Sequence, residues 1–131
     1  TANTAVSTQT VNANIQVTVG NTTVTWANAT SSTTSPTEIA NILITGTNIS
    51  GVEYFIKGID GTYKYTISTI QAVTDGTNVD WSQFGGQTLG GATGSFDVAT
   101  SSDLGGNTYI ALSVTPSSSN STVWTTQIRT I

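Results

Sequence analysis

Residues 1–19 read TANTAVSTQTVNANIQVTV. Val11, Ala13, Ile15, Val17 and Val19 share one parity, while Asn12, Asn14, Gln16 and Thr18 share the other. Ala5 and Ser7 carry the first register backwards with smaller side chains. Alternate side chains of a strand point to opposite faces, so the pattern predicts one extended strand with a buried face. At about 3.3 Å per residue the segment would reach about 60 Å, against about 17–20 Å for an ordinary strand. A small domain cannot cover that length. Part of the arm is therefore expected to leave its own domain and bury its apolar face in a neighbouring molecule, which is a route to a polymer.

Outward from the arm, strand-like segments alternate with turn signals. Gly20-Asn21 is a two-residue turn candidate, followed by a strand over 22–28 with Val24 and Trp26 in alternation. Residues 29–36 read as a Ser/Thr loop. The apolar run 38–45 (Ile39, Ile42, Leu43, Ile44) suits a central strand. Residues 52–59 and 62–73 read as strands joined at Asp60-Gly61, a strong hairpin signal. Beyond Asp75-Gly76, the glycine-broken stretch 77–94 reads as a short strand plus a loop anchored by Trp81, Phe84 and Leu89. Shorter strands follow at 95–99, 107–115 and 122–131. No helical period exceeds about two turns. Short strands at this spacing predict an all-β, immunoglobulin-like antiparallel β-sandwich. It would be incomplete, with an N-terminal donor-strand arm at 1–13 and a sandwich domain at 14–131.

Composition narrows the chemistry. The chain has 131 residues and lacks Cys, His and Met. Disulfide and thiolate chemistry are thereby excluded, along with the commonest general base. Only seven acids and three bases are present, whereas Thr and Ser number 28 and 15, so neutral hydroxyls carry the polarity. Few groups bind protons differentially, which suits exposure to acid. Three cations cannot form a nucleic-acid-binding surface, and no stretch is apolar enough to span a membrane. A chain that starts at Thr1 reads as a processed, exported product.

Several constellations are weighed against simpler structural roles. Asn21, Asn28, Asn48 and Asn120 each open an Asn-X-Ser/Thr sequon at an expected turn, strand end or loop, and N-linked glycans are expected there. In so Thr-rich a chain, about three matches arise by chance. Lys57 and Lys64 raise an isopeptide bond beside Glu53 or Asp97, against solvated strand lysines. Asp60, Asp75, Asp80 and Asp103 lack the spacing of a calcium loop and read as turn caps. Trp26, Trp81, Trp124 and the tyrosines read as core packing ahead of a carbohydrate platform. No cofactor, metal site or catalytic residue is singled out, and an enzyme is not expected.

The long alternating arm, the strand-only body, the C-terminal strand, the sequons, the scarcity of charge and the lack of Cys together resemble the subunit of the archaeal thread filament. This is the thin glycosylated surface pilus of Sulfolobus-type thermoacidophiles. It is similar in principle to chaperone–usher pilins, many of which carry a disulfide that this chain lacks. The resemblance implies an extracellular cell-surface filament with a role in adhesion or cell–cell contact. Its partners would be identical subunits in a helical homopolymer, each inserting its N-terminal strand into the next, with Val6, Val11, Ala13 and Ile15 as plug residues. Two other readings stay open: a secreted carbohydrate-binding or adhesin β-sandwich module, and a small secreted glycosidase-like enzyme.

Overall fold

The computed structural model describes residues 16–19 and 22–131. The plug candidates Val6, Val11, Ala13 and Ile15, and the Gly20-Asn21 turn with its sequon, lie outside these residues. The described residues form only strands, turns and bends, as the composition and turn spacing predict. In chain order the strands are β1 (Gln16–Val19), β2 (Thr22–Ser31), β3 (Thr37–Leu43), β4 (Gly51–Asp60), β5 (Lys64–Thr74), β6 (Val79–Leu89), β7 (Gly94–Ser102), β8 (Thr108–Pro116) and β9 (Thr122–Thr130). They build two antiparallel sheets. One has six strands in the order β1-β2-β9-β4-β5-β6, and the other has three in the order β3-β8-β7.

The core lies between the sheets, where strand alternation puts one side chain in two. From the large sheet come Val52, Tyr54 and Ile56 of β4, Ile70 and Ala72 of β5, and Trp124 and Ile128 of β9. The small sheet answers with Ile39, Ala40, Phe96, Val98, Ile110, Leu112 and Val114. Trp124 is the largest of these and is fully buried. Its Nε1–H donates to Ser31 Oγ at 2.9 Å, and Phe96 meets its ring edge-on at 5.8 Å and 85°. The indole lies over Gly58, where an added Cβ would fall 2.4 Å from Trp124 Cζ3 and 2.8 Å from Thr93 Oγ1. Only glycine leaves room for the ring.

Three local readings are corrected. The stretch after Asp75-Gly76 is one 11-residue strand, β6, and not a short strand plus a loop. Its pairing with β5 shifts register between Ile67 and Thr69, and Gly85 has φ +66 there. A bulge takes up the glycines that otherwise read as a loop. Phe84 and Leu89, expected as anchors, are exposed, and Trp81 is half-buried. The apolar run of β3 is an edge strand of the small sheet, not a central one. A bulge between Glu38 and Ala40 breaks its edge. Finally, the Asp60-Gly61 hairpin is a three-residue loop in which Tyr63, not Gly61, takes the left-handed conformation at φ 66.

Candidate functional sites

The two sheets differ in width by three strands. Neighbouring strands sit about 4.8 Å apart, so the large sheet overhangs the small one on both sides. Inner-face residues of β9, β4 and β5 are covered. On the flanks, Ala27 and Ala29 of β2 and Val79 and Trp81 of β6 are only partly buried. Val79 and Trp81 line the β6 side, beside a large cavity. Beside the free edge of β3, the floor is two alanines next to the half-buried Ile42.

Strand β1 continues the large sheet past β2. Val17 pairs with Val24 and Val19 with Thr22. Val24 in turn pairs with Arg129, which lies on the parity of β9 that faces away from the core. In the sequence, positions 11, 13 and 15 share the parity of Val17 and Val19.

The outer face of the large sheet carries eight of the twelve exposed large apolar side chains among the described residues, including Trp26, Phe55, Tyr65, Phe84 and Leu89. One row of cross-strand partners runs Trp26–Gln127–Phe55–Thr69–Phe84. The next row is Val24–Arg129–Glu53–Gln71–Ser82, in which Arg129 pairs with Glu53 and Gln71 Nε2 donates to Glu53 Oε2 at 3.3 Å. A cleft of about 160 Å³ lies between these rows at Phe55, Glu53 and Arg129. A larger cavity, about 650 Å³, opens where β4 begins and β9 ends, lined by Val52, Ala72, Trp81 and Ile131.

The turn aspartates cap backbone, as their spacing suggests. Asp75 Oδ1 accepts from the N–H groups of Thr77 and Asn78 at 2.9 and 2.7 Å. Asp103 Oδ1 accepts from Gly105 and Asn107 at 2.9 and 3.0 Å, and Asp103 Oδ2 accepts from the Tyr109 hydroxyl. Asp60 is buried and takes the Thr62 hydroxyl, the Thr62 N–H and the Ser118 hydroxyl at 2.6, 2.7 and 2.8 Å. Hydrogen bonds to the ionised form hold Asp60 at about 2, with the Thr62 hydroxyl foremost. Asn78 foremost, with Thr77, holds Asp75 at about 2. The Asn107 N–H and amide lower Asp103, and Asp103 raises the Tyr109 phenol. Burial foremost, with Glu38, pushes the Tyr54 hydroxyl well above its usual range.

Three sequons fall within the described residues. Asn28 is exposed on the outer face of β2, beside Trp26. Asn48 and Asn120 are exposed in the loops before β4 and β9. Lys57 and Asp97 lie on opposite outer faces of the sandwich and are not brought together. Of the aromatics read as core, Tyr54 and Trp124 are core, whereas Trp26, Tyr63 and Tyr65 are exposed. Sequence reading did not single out Phe55 for a platform. Its signal was available: it lies opposite in parity to Val52, Tyr54 and Ile56. Comparison with protein families, with curated proteins and with solved structures returns no match to this chain.

Proposed function

We propose that this chain is the subunit of an extracellular filament that polymerises by donor-strand exchange. Its N-terminal arm, residues 1–13, inserts into the adjacent subunit. The reading rests above all on the length of the arm's alternation. Strand β1 pairs with β2 over Gln16–Val19, and in the sequence the same apolar alternation runs on upstream through Ile15, Ala13 and Val11, a length that the proposal assigns to a neighbouring subunit. The narrow three-stranded sheet supports the same reading. In the proposal a fourth strand adds at the free edge of β3, over the partly buried Ala27 and Ala29. Strand addition there is heterologous and does not close, so it propagates as a fibre. Three plug side chains on one parity, Val11, Ala13 and Ile15, would contribute about 4–6 kcal/mol before ordering costs, while Val6 falls on the opposite parity.

In this reading the sequons at Asn21, Asn28, Asn48 and Asn120 carry N-linked glycans on the filament surface. Sparse charge keeps that surface insensitive to acid. The test is removal of residues 1–12. The shortened chain is expected to stay a folded β-monomer, to form no fibres under negative-stain microscopy, and to bind a synthetic peptide of residues 1–15. Fibres from the shortened chain refute the proposal.

A further inference from the structure

We propose that the outer face of the six-stranded sheet binds a single extended chain of a neutral, β-1,4-linked polysaccharide along the row Trp26–Gln127–Phe55–Thr69–Phe84. The inference goes beyond filament formation and does not depend on it. The row alternates aromatic and polar, and its three aromatic side chains are 43%, 45% and 45% exposed. Strands about 4.8 Å apart put successive aromatics about 9.5 Å apart, the advance of two sugars in an extended β-1,4 chain. Every second sugar then presents its apolar face to a ring. Gln127 and Thr69 lie under the intervening sugars, where hydroxyls need partners.

The flanking rows fit the same ligand. On one side the row is Val24, Arg129, Glu53, Gln71 and Ser82, and on the other Asn28, Thr125, Lys57, Ile67 and Gln87. A protein interface typically has an apolar centre and a polar rim. Here the aromatic line runs between two rows that are each polar at four of five positions, which gives a sugar chain ring faces below and hydroxyl partners along both edges. Glu53 is already paired with Arg129 and held by Gln71, so its carboxylate is pre-oriented. The cleft of about 160 Å³ beside Phe55 has room for the edge of one ring. Charge also selects. The chain carries a net charge of −4, and the acids Glu53 and Asp80 stand on this face beside Lys57 and Arg129, which disfavours an acidic polysaccharide. Strand twist turns the row by about 45° between successive aromatics, so it follows a single twisted chain and not a flat crystalline surface.

The test is titration of the whole chain with β-1,4-linked cello- and manno-oligosaccharides, followed by Trp fluorescence and calorimetry. Affinity is expected to rise from the disaccharide to the pentasaccharide, which reaches all three rings, and then level off. Trp26→Ala, Phe55→Ala and Phe84→Ala should each weaken pentasaccharide binding about tenfold. Tyr63→Ala, at an exposed turn outside the row, should leave it unchanged. All three variants alter exposed side chains, and circular dichroism checks that each is folded. Absence of binding to both oligosaccharide series overturns the proposal. So does binding that the three variants leave intact, equal binding of α-1,4-linked maltohexaose, or self-association through this face without sugar binding.

Discussion

Replacing Gly58 by alanine tests the packing on which the sandwich depends. The new methyl group would stand 2.4 Å from Trp124 Cζ3, 2.7 Å from Cε3 and 2.8 Å from Thr93 Oγ1. None of these is the tip of a flexible chain, because the indole is held on both sides. Its Nε1–H donates to Ser31, and Phe96 packs edge-on against it. Relief requires the indole to move. Overpacking costs about 1–3 kcal/mol. A lost buried hydrogen bond adds about 1 kcal/mol, and a lost aromatic edge contact about 0.5–1.5 kcal/mol. The expected destabilisation is therefore about 3–5 kcal/mol, a fall in Tm of roughly 10–20 °C for a domain of this size. Thermal and urea unfolding of the arm-deleted monomer would measure it. In the proposed filament, polymerisation would make apparent stability depend on concentration, and the deletion removes that dependence. A second variant isolates the cause: in a Trp124→Leu background, Gly58→Ala should cost markedly less, because both indole contacts are gone and only the approach to Thr93 Oγ1 remains. A Tm within about 2 °C of the parent for Gly58→Ala alone, or an undiminished cost in the Leu background, refutes the packing argument.

Thr126 Oγ1 is buried without a hydrogen-bond partner among the described residues. Thr126→Val keeps the shape and removes the stranded hydroxyl, so stability is expected to rise by about 1 kcal/mol, read as a higher urea midpoint at unchanged m. Acid should act late. Asp60 and Asp75 titrate near 2 in the folded protein against 3.8 as the ordinary value, and Asp103 is also lowered. Their contribution is complete above about pH 4 and is lost as pH falls through about 2, so Tm should be flat from neutrality to about pH 5 and decline only below about pH 4. A fall already complete by about pH 5 would contradict this, and Asp75→Asn should shallow the acid limb.

The parts of the fold that the sequence reveals are those in which local chemistry and burial agree. In β4, Val52, Tyr54 and Ile56 alternate with a mixed register and are buried. In β8, Ile110, Leu112 and Val114 behave the same way. Asp60, Asp75 and Asp103 mark turns because their side chains cap the backbone there. Sequence reading fails where a bulge hides a register, as at Gly85 in β6, or where an apolar run ends up at a sheet edge, as in β3. Edge position is set by which strands neighbour each other across the sheet, and no local pattern carries that. The cross-strand row on the outer face is illegible for the same reason. Trp26, Phe55 and Phe84 come from three strands, and their alignment is a product of register. The sequons Asn28, Asn48 and Asn120 are legible as motifs, and their exposure agrees with their turn and strand-end setting, except that Asn28 lies within a longer β2.

Strand β5 shows why burial and hydrophobicity separate in this chain. Its inward register is Thr66, Ser68, Ile70, Ala72 and Thr74, while its outward register is Tyr65, Ile67, Thr69, Gln71 and Val73. The outward set is the more apolar one. On a sheet face that meets only water, that arrangement loses the hydrophobic gain and buries hydroxyls that need partners. The inward hydroxyls are largely provided for: Thr66 Oγ1 accepts from Thr93 N–H at 3.0 Å, Ser68 Oγ accepts from Gln83 Nε2 at 2.8 Å, and the Thr74 hydroxyl donates to Asn78 O at 2.6 Å. The core thus tolerates the β5 hydroxyls because Thr66, Ser68 and Thr74 each have a partner, whereas Thr93 Oγ1 and Thr126 Oγ1 have none among the described residues. The outward apolar set has no such internal account. Strands β2 and β6 repeat the feature, with Trp26, Phe84 and Leu89 on the outward parity. An exposed apolar face of this extent is the mark of a surface that is covered when the protein works. The aromatic spacing argues that a sugar chain covers its centre.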